Sequence, residues 1–250
     1  MKKNKLERMD YPGRGVMVGV TSEKDVFGVT FVQGRSPSSQ ARRYAQANGK
    51  IWTEPTDKKT LAKGNPDLLL YNCIMWHGGV IALSNGKQTD SILANTLAGI
   101  DPVYEPADFA GSLEECTRQW NYEPDDPNFT PRISGRITMQ TSYLEDNTMA
   151  LGIIKRRKDG TAYRKTYDVS PEAGTDEGKA FFITTYTGVN ANPLPSFKGA
   201  PQSIPIDSIT VDDLCHEVGE MLNPDLRVAV AVMMMDQAND VHTALLNYRG

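Results

Sequence analysis

Asp67-Leu68-Leu69-Leu70-Tyr71-Asn72-Cys73-Ile74-Met75-Trp76-His77-Gly78-Gly79-Val80-Ile81-Ala82-Leu83-Ser84 is the stretch on which the architecture turns. Asp67 to Met75 is strongly apolar and reads as a central strand. Val80 to Leu83 is a second apolar run, and His77-Gly78-Gly79 between them is a turn signal, so the two runs pair. Asn85-Gly86 ends the second strand. From Thr89 to Gly99 the period changes: Ile92, Leu93, Thr96 and Leu97 fall on one face of a helix.

The same alternation extends outward. Upstream, Val16 to Val20 and Val26 to Val32 are β-rich and flank a charged turn, Ser22-Glu23-Lys24-Asp25, which predicts a hairpin. Residues 1–10 read as a flexible lead-in. Arg35 to Tyr44 reads as a loop entering a short helix with a serine cap. Ile51 to Glu54 is a short strand, followed by a solvated Lys-rich stretch, Asp57 to Lys63. Downstream, Ala107 to Asn121 reads as a helix, with Ser112 and Glu115 spaced as a capping box. Tyr122 to Arg132 is a loop. Ile133 to Tyr143, Met149 to Arg156, Ala162 to Val169 and Ala180 to Tyr186 read as strands, with turns at Asp146-Asn147 and Asp159-Gly160. Gly188 to Pro205 reads as a long Pro-rich loop. Thr210 to Leu222 is an amphipathic helix with Leu214, Val218 and Leu222 on one face. Arg227 to Met235 reads as a buried strand, and Asp240 to Tyr248 as a strand or helix end. No internal repeat or linker divides residues 11–250, so a single domain is expected. Segregated strands and helices predict an α+β layered fold.

Composition narrows the function. A formal net charge of −4 argues against a nucleic-acid partner, so any phosphate must be bound locally by a few placed cations. Cys73, Cys116 and Cys215 are widely spaced and form no CxxC pair, which predicts reduced thiols and a cytoplasmic setting. Leu6 to Tyr11 is too polar for a signal-peptide core, and no apolar run approaches the roughly 20 residues that span a bilayer. Dinucleotide, phosphate-loop, zinc-protease and nucleophile-elbow signatures are all absent, and His77, His216 and His242 are too scattered to propose a metal site.

Five polar clusters remain. Arg35-Ser36-Pro37-Ser38-Ser39-Gln40-Ala41-Arg42 sets two guanidinium groups around three hydroxyls, chemistry suited to a phosphate monoester; on composition alone a solvated turn with capping serines is the simpler reading. Tyr71-Asn72 lies in an apolar run, so these polar groups face a cavity or find partners in the core. Cys73 beside them reads as a small buried thiol. Ser84-Asn85-Gly86-Lys87-Gln88-Thr89-Asp90 combines a tight turn with a helix cap. Tyr122 to Arg132 supplies a carboxylate, Glu123, and a guanidinium, Arg132, suited to work as base and electrostatic partner. Thr185 to Asn190, with Pro193 to Phe197, reads as a pocket mouth or a plain loop.

The order of these clusters, from Gly13-Arg14 through Arg35-Ser36, Tyr71-Asn72-Cys73-Ile74, Ser84-Asn85-Gly86 with Thr89-Asp90, to Tyr122-Glu123 and Thr130-Pro131-Arg132-Ile133, resembles the archaeal-type IMP cyclohydrolase family. The spacing from Arg35 to Arg42, the Phe129 before Thr130, the extra residues around Asp57 to Lys63 and a longer C-terminal half mark a bacterial branch. The resemblance implies a four-layer αββα sandwich of mostly antiparallel sheets, of the N-terminal-nucleophile-hydrolase type. The chain begins Met1-Lys2, so no N-terminal nucleophile is expected. The implied reaction closes 5-formamidoimidazole-4-carboxamide ribonucleotide to IMP with loss of water, using no metal and no cofactor. Substrate and IMP are the implied partners, with no nucleic acid and no membrane, and with room for a homo-oligomer. The implied catalytic residues are Tyr71, Glu123 and Arg132. Arg35, Arg42, Ser36 and Ser39 would hold the phosphate. Arg14, Asn72, Asn85, Thr89, Asp90 and Thr130 would make further substrate contacts. An amide hydrolase of another substrate, or a nucleotide-binding protein without turnover, would fit the same residues.

Overall fold

The computed structural model describes residues 3–99, 112–139 and 147–249. Along the chain come β1 (Arg14–Val20), β2 (Val26–Gln33), α1 (Pro37–Gln40), β3 (Arg42–Ala47), β4 (Lys50–Pro55), α2 (Lys58–Leu61), α3 (Pro66–Leu69), β5 (Asn72–His77), β6 (Val80–Ser84) and α4 (Gln88–Gly99). Then follow α5 (Leu113–Cys116), β7 (Arg132–Thr138), β8 (Thr148–Arg156), β9 (Ala162–Asp168), β10 (Lys179–Thr184), β11 (Gln202–Pro205), α6 (Val211–Met221), β12 (Arg227–Met235) and β13 (Val241–Asn247). One sheet runs β11-β10-β1-β2-β12-β13; the other is a meander, β3-β4-β5-β6-β7-β8-β9. Neighbouring strands in both sheets are antiparallel.

The two sheets meet face to face. Val16, Val18 and Val32 of the first pack on Ile74, Ile81, Leu83, Ile133 and Leu151 of the second. The approach is close: a Cβ on Gly28 would stand 2.5 Å from Leu83 Cδ2. On the outside of the first sheet, Leu214 and Val218 of α6 cover Phe27, Val29, Phe31, Val230 and Val232. On the outside of the second, Ile92 and Leu93 of α4, with Leu113 of α5, cover Val80 and Ala82. The fold is thus α+β, stacked helix–sheet–sheet–helix. Strand period follows from it: in β6, Val80 and Ala82 face the helices while Ile81 and Leu83 face the other sheet. Among the described residues no helix is long and apolar enough to cross a membrane.

Several elements differ from the sequence-based expectation. Asp67 to Met75 is not one strand. Asn65 caps and Pro66 opens the single turn α3, and the strand begins only at Asn72. Local capping chemistry overrides the apolar run there. The short helix expected within Arg35–Tyr44 is α1, capped by Ser36, but Arg42 to Tyr44 already belong to the strand β3, and Gln202–Pro205 is a strand rather than a loop; both strands lie at sheet edges, where exposed residues blur the alternation. Residues 5–8 form a turn, and Leu6 is wholly buried against the α6 face, so this segment is packed rather than a flexible lead-in. The C-terminal segment is a strand, β13. Ser112 and Glu115 do form a capping box, but on the one-turn helix α5. The expected helix over 107–111, the strand over 140–143 and Asp146 of the expected turn lie outside the described residues.

Candidate functional site

Three segments that are distant in sequence converge on a cavity of about 480 Å³. The first brings a buried ionic cluster. Arg14 opens β1, and Glu123 lies in the loop before β7, where its backbone N–H donates to Thr130 O at 2.9 Å. Arg14 Nη2 donates to Glu123 Oε2 at 2.6 Å, and Arg132 Nη1 lies 3.8 Å from Glu123 Oε1. Glu123 is only 2% exposed. Burial pushes its carboxyl above the ordinary glutamate value, and Arg14 and Arg132 oppose that only in part. Burial also works against the Arg14 charge, but Glu123, through its charge and hydrogen bond, together with Tyr71 and Tyr186 outweighs it, so Arg14 titrates well above the ordinary arginine value.

Behind this cluster stands a fully bonded scaffold. Asn85 Oδ1 accepts from Ile133 N and Gln88 Nε2, Asn85 Nδ2 donates to Pro131 O, and Asn85 O accepts from Arg14 Nη1. Thr89 and Ser84 share a hydroxyl contact of 2.6 Å at the start of α4. Arg132 donates to Asn121 O and Gln88 Oε1, and its guanidinium lies 4.9 Å from the Trp120 ring centroid. Asn85 and Thr89 therefore fix the cluster from behind, and Arg132 flanks it.

The second wall is aromatic and hydroxylic. Tyr11 stacks on Tyr186 with centroids 5.9 Å apart. The Tyr186 hydroxyl meets Thr130 Oγ1 at 2.6 Å, and Thr130 in turn donates from N and Oγ1 to the Asp125 carboxylate. Gly13 passes beside Tyr186 with φ +76, where any Cβ would collide with Thr185 and Tyr186. The third wall is the Arg–Ser segment. Ser36 caps α1 in a reciprocal box with Ser39. Arg42 is nearly fully buried and donates to Ser39 O and Leu69 O, while Arg35 reaches over the Tyr11 ring to Asn190 and Ala191 O.

Of the residues expected from sequence, Arg14, Arg35, Ser36, Ser39, Arg42, Glu123 and Thr130 line this one cavity. Tyr71, Asn72 and Asp90 do not. They line a second, more open cavity of about 610 Å³, with Trp52, Lys87 and Trp120. Asn72 Nδ2 donates to Asp90 Oδ1 at 2.8 Å there. The segment from α3 onward separates the two: Leu68 and Leu69 face the first cavity, Leu70 and Tyr71 the second. Ser38, Asp125 and Asn128, which lie in clusters singled out from the sequence without a role of their own, also line the first cavity, and so do Tyr11 and Gln33, which were not expected. Gln33 is the last residue of an apolar strand running into Arg35, and a polar side chain at that point is the one sequence signal that marks it.

Cys73 is buried, and burial pushes its thiol up to about 12, so it stays protonated and is no nucleophile. Among the described residues no cluster of His, Cys, Asp or Glu gathers as a metal site would.

The two-sheet α+β fold thus holds a cavity with one wall of arginines and serines and another carrying a buried carboxylate, a lining suited to a small anionic molecule. The family described as IMP cyclohydrolase-like protein matches residues 11–240, and the chain belongs to it. An IMP cyclohydrolase of Halobacterium salinarum (strain ATCC 29341 / DSM 671 / R1) is 26% identical over 177 residues, covering 71% of this chain and 72% of the relative. An IMP cyclohydrolase of Haloquadratum walsbyi (strain DSM 16790 / HBSQ001) is 31% identical over 134 residues, covering 54% of this chain and 60% of that relative.

Proposed function

We propose that the protein acts as an IMP cyclohydrolase, closing 5-formamidoimidazole-4-carboxamide ribonucleotide to IMP and water. The observation that carries this is a buried carboxylate, Glu123, held by Arg14 on the same cavity as the Arg35–Arg42 serine wall. In this reading Arg42 and Arg35, with Ser36, Ser38 and Ser39, take the 5′-phosphate. Tyr11, Tyr186 and Thr130 face the ribose and base. Tyr71, Asn72 and Asp90 lie beyond α3, and we assign them no contact with the bound substrate. Arg132 is tied by Nε to Asn121 O and by Nη1 to Gln88 Oε1, with Nη1 beside Glu123, so we assign it to holding and balancing Glu123.

The reaction joins two groups of one molecule. The carboxamide nitrogen attacks the formyl carbon, and a C–N bond forms. The carboxamide nitrogen gives up one hydrogen, the formamido nitrogen gives up another, and the formyl oxygen leaves as water. An amide nitrogen is a weak nucleophile, so the cavity must hold the two groups in reacting geometry. Glu123 takes the proton from the attacking nitrogen and returns one to the departing hydroxyl.

The helix–sheet–sheet–helix stack is read as the N-terminal-nucleophile-hydrolase type, residues 11–250 as one domain, and the setting as cytoplasmic. The test is to incubate the protein with the formamido ribonucleotide and follow IMP by mass detection. IMP should form rapidly, and Glu123→Gln should abolish turnover while nucleotide affinity stays within a few-fold. A folded wild-type protein that binds IMP but yields none above background would be a nucleotide-binding protein instead.

A further inference from the structure

The ion cluster around Glu123 is covered on one side by an indole. Arg132 Nη1 lies 3.8 Å from Glu123 Oε1. Two bonds hold the edge of that guanidinium, Nε to Asn121 O at 2.7 Å and Nη1 to Gln88 Oε1 at 3.0 Å. Its face is met by Trp120, whose ring centroid stands 4.9 Å from the guanidinium carbon. The indole is itself pinned. Trp120 Nε1 donates to Ser91 Oγ of α4 at 3.0 Å, and Trp120 O accepts from Arg164 Nη2 of β9 at 2.5 Å. Trp120 also lines the second, open cavity, beside Trp52, Lys87 and Asp90. It thus touches both the open cavity and the ion cluster, while Arg132 behind it is only 8% exposed.

We infer that Trp120 is a positioning residue of the proposed reaction: its ring face keeps the Arg132 guanidinium dry and in place beside Glu123, and so helps to hold Glu123 as the carboxylate that accepts a proton. The inference rests on the reading given under Proposed function. The groups facing Glu123 divide in sign. Arg14 from β1 and Arg132 from β7 favour its anion; burial and Asp125 of its own loop oppose it, burial the most. Arg132 has its own opponents. Burial works hardest against its charge and Arg14 adds to that, while Glu123, Asp125 and Tyr71 support it. A further carboxylate beside Arg132 would steady that cation but would also repel the Glu123 anion. A π face favours the cation without adding an anion. It also keeps water from the pair, and two charges attract more strongly where water is excluded.

The test follows the Glu123 carboxyl by carbon-13 NMR against pH in the unliganded protein, for wild type, Trp120→Leu and Trp120→Phe. Loss of the signal in Glu123→Gln assigns it. Removing the ring weakens the hold of Arg132 on the carboxylate, so the Glu123 midpoint should rise in Trp120→Leu by about 0.5 pH units or more. Trp120→Phe keeps a ring face, and its midpoint should stay within about 0.2 pH units of wild type. The inflection in kcat/KM should move with the NMR midpoint in each variant. If Trp120→Leu fails to fold, Trp120→Met, with its flexible unbranched side chain, is read in its place. A midpoint unmoved or lowered in these apolar variants, or raised equally in Trp120→Phe, would overturn the role of Trp120 and leave the functional reading standing. Midpoints that move as expected in a protein whose wild type forms no IMP would uphold the contact and overturn the functional reading, and with it the part of Trp120 in the reaction.

Discussion

Glu123 sits between two opposed influences, and the balance has a measurable sign. Burial raises its pKa and two guanidinium groups lower it, with burial the larger. A general base works as the carboxylate. The rate should therefore be full at high pH and fall as pH drops through the folded-state pKa of Glu123, with the inflection above the ordinary glutamate range. A profile of kcat/KM against pH checks this; an inflection at or below the ordinary value would remove Glu123 as the base. Arg42 makes a different claim. Arg42→Ala should raise KM about ten- to a hundred-fold with little change in kcat, the loss of a charge-assisted bond worth roughly 1.5–3 kcal/mol. An unchanged KM would mean that the phosphate is held elsewhere. At this scale the sequence was partly legible. Charged and hydroxyl residues in ordered clusters mark Arg14, Arg35, Arg42, Glu123 and Thr130.

Elements were read best where their environment was uniform. Arg227–Met235 is apolar almost throughout because both of its faces are covered, Val230 and Val232 by α6 and Ala231 and Met233 by the other sheet. The edge strands β3 and β11 have no such cover and no such signal. Leu68, Leu69 and Leu70 misled for another reason: they are apolar because they line cavities, not because they fill a strand. The short helix α3, which includes Leu68 and Leu69, is held from both ends. Asn65 accepts from Asp67 N at its start, and Arg14 and Arg42 donate to Leu68 O and Leu69 O at its finish. Asn65→Ala should cost at most about 1 kcal/mol of stability, as for a lost exposed cap. It should also raise KM several-fold, because the carbonyls that orient both arginines would drift. Thermal melting and steady-state kinetics separate the two effects; a stability loss with KM unchanged would make α3 a bystander.

On the scale of the whole molecule, the contact between the sheets carries the fold. Leu83 is wholly buried in it, and Gly28 and Gly135 are kept bare by its side chain. Leu83→Ala should cost about 2–5 kcal/mol, since two sheets joined at many points cannot close around the void. Denaturant unfolding would measure it, and a cost under about 1 kcal/mol would show the interface to be loosely packed. The layering itself was legible from alternating strands and one-faced helices. The meeting of Arg14, Glu123 and Arg42 on one cavity was implied only by the family resemblance, because spacing alone does not say which sheet edges come together.

The Arg132 guanidinium over Trp120 makes the cavity visible from outside. Arg132 answers to the charge on Glu123, and indole emission answers to a cation at its face. Filling or protonating the cluster should therefore change the colour and brightness of Trp120 fluorescence, giving the protein an internal optical gauge of its own occupancy without any attached dye.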